Sequence, residues 1–305
     1  MTLNRGKLIG IFAVEIAAFA FLAGALLDRR MHQRDQLYGV NQWGYRGETR
    51  ASKEPGEIRV ALIGGSSAFE RDLSYGWTLA GQLDIELRNA GAPTRRVYSV
   101  VNLSEPQAGA DSYVDTLRDY AFLEPDVVCI FDGYDELERL PSHARHRSFV
   151  FRATGYLPTL PARMLGRPGW LSDQDGGVAE LLREGRGSRA DVSCAGASAF
   201  YCAAMAATAR FALRHHHTVI VVSPPSVSSR HAAQQRSLAV TLDQEFGREL
   251  PFRYLDLGAS IDLSNRVHSP DGLHRTNIGN HVIGQKIASA ILTWPLANLV
   301  RADDK

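Results

Sequence analysis

The sequence predicts an α/β fold in which a parallel sheet is covered by helices on both faces. Short apolar runs alternate along the chain with longer segments whose apolar spacing suits a helix packed on a sheet. The short runs are apolar throughout, which is typical of parallel strands buried on both faces. At 305 residues and 45% hydrophobic content, the chain is long enough to bury a large core.

The elements follow one another in a regular order. The predicted strands cover residues 59–63, 97–101, 127–131, 218–222 and 252–255. The predicted helices cover residues 77–89, 111–123, 197–214, 228–246 and 277–292. Sites in open parallel sheets form beyond the carboxyl ends of the strands, so we expect residues 64–67, 102–109 and 132–136 to converge there.

The N-terminal segment has the length and composition of a transmembrane helix. Residues 8–27 form a run of twenty residues whose only charge is Glu15, and a helix of that length crosses a bilayer core of about 30 Å. A cleaved signal peptide is the alternative, since Ala23-Gly24-Ala25 has the small-x-small form of a cleavage site. The full apolar length favours an uncleaved anchor. We expect a single-pass protein of a bacterial inner membrane with its main domain on the periplasmic side.

These features divide the chain into three predicted parts. They are an anchor with its flanks at 1–34, a linker and lead-in at 35–57, and the main domain at 58–300 with an insertion at about 137–191.

The formal net charge of +1 argues against a nucleic-acid partner. The sequence has no zinc-type cysteine spacing, no Walker A motif and no Rossmann fingerprint. No metal or cofactor is therefore expected. Cys194 and Cys202 are either a disulfide or two buried thiols.

Two short motifs at opposite ends of the main domain carry the candidate chemistry. The first predicted strand runs into Gly64-Gly65-Ser66-Ser67, a turn that can leave a serine side chain at the open end of the sheet. Many such turns are structural only. Near the C-terminus, Asp271-Gly-Leu-His274 supplies a base for a serine and a carboxylate to fix the histidine tautomer. Together the motifs indicate a serine hydrolase.

At these residues the chain resembles the SGNH/GDSL hydrolase family. The resemblance implies a flavodoxin-like three-layer α/β/α fold, ester hydrolysis, and Ser66, Asp271 and His274 as catalytic residues. The second block resembles Val101 to Ser104 followed by Gly109, and the third matches Gly133-Tyr134-Asp135-Glu136 in part. The stretch from Asn41 to Gly47 is similar to a lead-in of membrane-anchored bacterial members.

The resemblance implies an oxyanion hole made by Ser66, Gly109 and Asp135, and here the sequence departs from the family. The family has asparagine where this chain has Asp135. An ionised carboxylate accepts hydrogen bonds and repels developing negative charge, and the loss of one oxyanion donor costs about 10²–10³ in turnover. We therefore expect weak activity or activity that favours acidic pH.

The sequence leaves three functions open. The leading hypothesis is a membrane-anchored serine esterase acting on small acyl esters, such as O-acetyl groups on a cell-surface polysaccharide. An O-acyltransferase would use the same serine with a sugar hydroxyl in place of water. A weakly active or non-catalytic glycan-binding or assembly subunit is supported by Asp135 and opposed by the intact set of Ser66, Asp271 and His274. The expected partners are an acylated small molecule or glycan and the membrane.

Overall fold

A computed structural model of the chain describes residues 5–35, 39–50, 52–94, 96–106, 108–134, 149–158, 160, 192–249 and 251–294. The strands are β1 Glu57–Ile63, β2 Val97–Asn102, β3 Val127–Phe131, β4 Thr218–Ser223 and β5 Phe252–Asp256. The helices are α1 Arg5–Asp35, α2 Ser66–Phe69, α3 Leu79–Gly91, α4 Tyr113–Asp119, α5 Phe149–Thr154, α6 Ala199–Arg214, α7 Ser229–Phe246 and α8 Asn277–Leu292. Asp135 and most of the predicted insertion lie outside the described residues.

The five strands form one parallel sheet in the order β2-β1-β3-β4-β5. This is the strand order of flavodoxin-like sheets, in which the direction of winding reverses between β1 and β3. Both predictions of the fold, a parallel sheet and a flavodoxin-like arrangement, are therefore confirmed. The reversal leaves a crevice beyond the carboxyl ends of β1 and β3, and the Ser66 turn leaves β1 at that point.

Two apolar cores cover the two faces of the sheet. On one face, α3 and α8 pack through leucine and isoleucine side chains such as Leu83 and Ile287. On the other face, α4, α6 and α7 contribute residues such as Leu117, Met205 and Leu238. The central strands are buried along their whole length. The predicted three-layer α/β/α arrangement is therefore confirmed.

Helix boundaries agree with the predicted ones within about two residues, with one exception. The segment predicted as a single helix over 111–123 is a short α-helix, α4, flanked by 3₁₀ turns at Ala110–Ser112 and Ala121–Leu123. It ends where Tyr120 leaves helical geometry and Glu124 takes a left-handed conformation at φ 49°. Arg59 then binds the Leu123 carbonyl at 2.8 Å, which fixes the turn into β3.

Residues 39–47, inside the predicted linker, are packed against the domain. Val40 pairs with Arg46 in a small antiparallel bridge, and Arg46 pairs in turn with Asn102 at the end of β2. The Arg46 side chain is fully buried and donates to the carbonyls of Phe69 and Leu73, just after the Ser66 turn. The lead-in is thus a support for the loop that carries Ser66.

The described helix α1 contains a segment, Ile9–His32, of 24 residues and mean hydropathy 2.2, which is long and apolar enough to cross a membrane. Its apolar side chains are exposed, as in Phe19 and Phe21.

Cys194 and Cys202, just before and within α6, form a disulfide. Cys129 is a free thiol buried in β3.

Candidate active site

Ser66 stands at the carboxyl end of β1, as the sequence predicts. It is the first residue of α2 and is half-buried, whereas Ser67 is buried. Gly64 makes the sharp exit from the strand possible because a Cβ there would lie 2.2 Å from the carbonyl oxygen of Phe131. The backbone of β1 therefore passes directly beside β3, and the serine side chain is left at the mouth of the crevice.

The end of β2 holds the Ser66 turn from one side. Asn102 donates through Nδ2 to the carbonyl of Ala68 in α2 at 3.0 Å. Beyond the strand, the amide of Glu105 donates to the carbonyl of Gly64 at 3.1 Å. Residues at the end of β2 and just beyond it thus hold the Ser66 turn both before Ser66, at Gly64, and after it, at Ala68. Gly109, four residues further on, is buried and begins the 3₁₀ turn Ala110–Ser112.

Asp271 and His274 form a preorganised pair on one loop. His274 Nδ1 lies 2.6 Å from Asp271 Oδ2. The second carboxylate oxygen, Oδ1, accepts from the backbone amides of Leu273 and His274 at 2.9 and 2.8 Å. With both oxygens engaged, the carboxylate cannot rotate away, and the ring of His274 is oriented with Nε2 facing outward from the pair.

The electrostatics of the pair suit an imidazole base. Partial burial opposes ionisation of Asp271, but the hydrogen bonds from His274 and Leu273 outweigh it and hold the pKa of this carboxyl below its usual value. The carboxylate is then ionised at neutral pH and can balance an imidazolium charge. The side chain of His274 is 32% exposed, so a substrate can reach it.

A second histidine close to the third block has the opposite character. His231 in α7 is fully buried and its ring packs on Tyr134, with ring centroids 4.9 Å apart. Burial lowers its pKa to about 3, so it is neutral at physiological pH. It therefore packs as a neutral ring against Tyr134.

Arg275 joins the loop of His274 to the turn of Ser66. Its guanidinium donates to the carbonyl of Ser67 at 2.7 Å and to Glu70 Oε1 at 2.9 Å. Both Arg275 and Glu70 are buried, and the guanidinium lies 4.6 Å from the centroid of the Phe131 ring. The residues next to His274 and Ser66 are thus in direct contact.

Glu70 occupies a strained position at the end of α2. Its φ of 55° is in the left-handed region, where a residue other than glycine is uncommon. The carboxylate compensates by accepting from Arg275 and from the amide of Leu79 at the start of α3. The sequence motifs did not single out Arg275 or Glu70, and only their positions beside His274 and the Ser66 turn could have drawn attention to them.

The structure brings the predicted residues together to different degrees. Asp271 and His274 are hydrogen-bonded, and the Ser66 turn is tied to their loop through Arg275. Among the described residues, no hydrogen bond joins Ser66 Oγ to His274 Nε2, and Gly109 has none to either motif. Catalytic hydrogen bonds are often long without substrate and tighten on binding. Asp135 lies outside the described residues.

No protein-family model matches the chain, and no curated protein matches its sequence. Solved structures do resemble it. A lipolytic protein of the G-D-S-L family from Veillonella parvula DSM 2008 has a TM-score of 0.48 and 9% identity, over 77% of this chain and 99% of that chain. The psychrotrophic esterase EstA from Pseudoalteromonas sp. has a TM-score of 0.46 and 11% identity, over 79% and 99%. The acetyl xylan esterase AlAXEase has a TM-score of 0.46 and 13% identity, over 77% and 100%. At these identities the likeness is one of fold alone.

The buried ion pair gives a test of how the two motifs are held together. Arg275→Met leaves the Glu70 carboxylate buried without its charged partner. Glu70→Gln likewise leaves the Arg275 guanidinium buried without a charged partner. We expect each change to lower the free energy of unfolding by about 3–5 kcal/mol. The double variant should lose less free energy of unfolding than the two single variants lose together, since neither charge is then buried without a partner. Chemical denaturation followed by circular dichroism measures all three.

The matched control is the exposed pair of Arg118 and Asp115 on α4, whose side chains are 60% and 63% exposed. Arg118→Met should cost under about 1 kcal/mol, because solvent screens this pair. Losses of similar size for Arg275→Met and Arg118→Met would contradict the role given to the buried pair.

Proposed function

We propose that this chain is a membrane-anchored serine esterase of the SGNH type, with Ser66 as nucleophile and His274 and Asp271 as base and orienting carboxylate. The observation that supports it most is the Asp271–His274 pair, whose 2.6 Å hydrogen bond sits on a loop clamped to the Ser66 turn. Serine at a sharp strand-to-helix turn and histidine oriented by a carboxylate are the parts that acyl transfer requires.

The reaction follows from these positions. Ser66 Oγ attacks the acyl carbonyl carbon while its proton passes to His274 Nε2, and the carbonyl oxygen becomes a tetrahedral oxyanion. When the intermediate collapses, the ester C–O bond breaks and the leaving alcohol takes the proton from His274. Water then attacks the acyl-enzyme with His274 again as base, which releases the acid and restores Ser66. Asp271 balances the imidazolium charge in both steps.

Backbone amides are the proposed donors to the oxyanion. The amide of Ser66 opens α2, and the amide of Gly109 precedes the 3₁₀ turn Ala110–Ser112, whose Ser112 side chain fixes the Gly109 carbonyl at 2.7 Å. A carbonyl held in this way orients the peptide groups around it. In the third block, Asp135 replaces a neutral donor with a group that donates only when protonated.

The proposed setting is the outer face of a bacterial inner membrane. The apolar part of Ile9–His32, which ends before Asp28, would be the single anchor. The disulfide between Cys194 and Cys202 supports an oxidising compartment, since cytosolic thiols are kept reduced. Small acyl esters, such as O-acetyl groups on a cell-surface polysaccharide, are the substrates we propose there.

Two adjacent serines provide a direct test of the nucleophile. In detergent-solubilised full chain, Ser66→Ala should lower kcat for aryl acetate hydrolysis by at least about 10³-fold, because the acyl acceptor is lost. Ser67→Ala is the matched control. Its Arg275 contact is made by the backbone carbonyl, so it should retain activity. Equal rates for wild type and Ser66→Ala would overturn the proposal.

The acidic third block predicts an unusual pH dependence. Hydrolysis should be weak near neutral pH or favour acidic pH, because an ionised Asp135 carboxylate repels the oxyanion and only the protonated carboxyl can donate to it. Asp135→Asn should raise kcat near neutral pH, by up to about 10²–10³-fold, the contribution of one oxyanion donor. Rates measured from pH 5 to 9 decide this. An unchanged or lower rate in folded Asp135→Asn would contradict it, and the absence of turnover in both proteins would favour a binding or assembly role.

A further inference from the structure

The last turns of α1 are docked on the domain. His32 is buried, with Nδ1 3.1 Å from the Val40 carbonyl and Nε2 2.8 Å from the Leu157 carbonyl. Asp28, also buried, accepts from the Tyr156 hydroxyl and the Leu160 amide. The buried polar side chains at the end of the apolar segment therefore contact the domain rather than water.

The contact between Leu160 and α1 indicates where the domain meets the membrane. Leu160 Cδ2 lies 4.0 Å from the place that a Cβ on Gly24 would occupy. Gly24 is one helical turn inside the apolar run that ends before Asp28. A run of twenty residues matches a hydrocarbon core of about 30 Å. If α1 spans the bilayer, Leu160 lies at the boundary between acyl chains and headgroups.

Further apolar side chains lie beside this point, of which Trp43 and Leu157 are half-buried against the core of the domain. Leu157 is tied to the lead-in by its amide, which donates to the Gln42 carbonyl at 2.8 Å. The neighbouring Trp43 packs edge-on against Phe122, with ring centroids 6.5 Å apart. Phe122 is 51% exposed. We call Trp43, Phe122, Leu157 and Leu160 the anchor-side patch.

We propose that the anchor-side patch rests on the lipid surface that α1 enters, as a second membrane contact of the domain. This inference depends on the proposed membrane anchoring of α1 and not on the esterase chemistry. A lipid occupant is favoured because the patch is continuous with the apolar run of α1 and begins one turn inside it. Tryptophan and other aromatic side chains are also those that membrane interfaces favour.

The contact has a consequence for substrate choice. The lead-in that meets His32 at Val40 continues to Arg46, which binds the carbonyls of Phe69 and Leu73 beside the Ser66 turn. A domain seated on the bilayer at the patch keeps its catalytic crevice at a fixed height and tilt. Its substrates are then esters held near the membrane surface rather than esters at any distance a flexible tether would allow.

Nitroxide labels on two exposed positions test the contact in the full chain. Phe122→Cys places the label in the patch, and Val240→Cys places it on α7, which packs beside β5 at the opposite edge of the sheet from β2. Val240 is the matched control because it is 57% exposed. The native cysteines do not interfere, since Cys129 is buried and the other two are bridged.

The labelled chains are reconstituted into vesicles of phosphatidylethanolamine and phosphatidylglycerol. We then measure how often each nitroxide label collides with oxygen, which enters lipid, and with a nickel chelate, which stays in water. We expect a several-fold higher oxygen-to-nickel ratio at position 122 than at position 240. Extraction of the vesicles with alkaline carbonate reports whether α1 spans the bilayer, and aryl acetate hydrolysis reports on the esterase separately.

Each outcome has a distinct meaning. Equal, water-like ratios at the two positions in a chain that resists carbonate would overturn the patch contact and leave the anchor in place. A chain extracted by carbonate would overturn both. If the label at position 122 is exposed to lipid but the chain does not hydrolyse aryl acetate, the result would count against the esterase alone.

Discussion

The arrangement of the candidate site depends on one buried ion pair, between Arg275 and Glu70. The two residues are 205 positions apart in the chain, and each lies beside a functional motif. Arg275 follows His274, and Glu70 caps the C-terminal end of the helix that begins with Ser66. Because both charges are buried, separating them would leave each in an apolar environment, which is strongly unfavourable. The loop of His274 and the turn of Ser66 are thus held together by a contact that makes no use of either side chain.

Much of the fold could be predicted from the sequence because its strands are buried on both faces. Continuous apolar runs such as Val127–Phe131 identify central parallel strands directly. The sheet order itself needed the resemblance to a known family, because apolar runs carry no information on which strands are neighbours. Predicted helix 111–123 was wrong in its continuity, since its end depends on Arg59 binding the Leu123 carbonyl across the fold.

The site was predictable only where its parts are local. Asp271 and His274 are three residues apart, and their hydrogen bond follows from one loop. Arg275, Glu70 and Arg46 act through contacts between distant segments, so no pattern in the sequence marks them. The predicted linker shows the same limit. Asn41 to Gly47, inside the predicted linker and lead-in, packs against the domain through Arg46, which donates to the carbonyls of Phe69 and Leu73.

These contacts also connect the end of α1 to the Ser66 turn through one short stretch of the chain. The end of α1 is held by Val40 and Leu157, and Val40 pairs with Arg46, which supports the turn at Ser66. Docking of the helix and support of the Ser66 turn therefore involve the same nine-residue stretch, 39–47. A change in the lead-in should affect both the seat of the domain on α1 and the geometry of the Ser66 turn.

The central claim is that Ser66 is an activated nucleophile, and covalent labelling tests it most directly. The full chain is treated with a serine-directed phosphonate, and the peptide containing Ser66 and Ser67 is analysed by tandem mass spectrometry. We predict an adduct on Ser66, none on Ser67, and loss of the adduct in His274→Ala but not in His268→Ala, a histidine of the same loop. An unlabelled chain, or labelling that is indifferent to His274, would contradict the account.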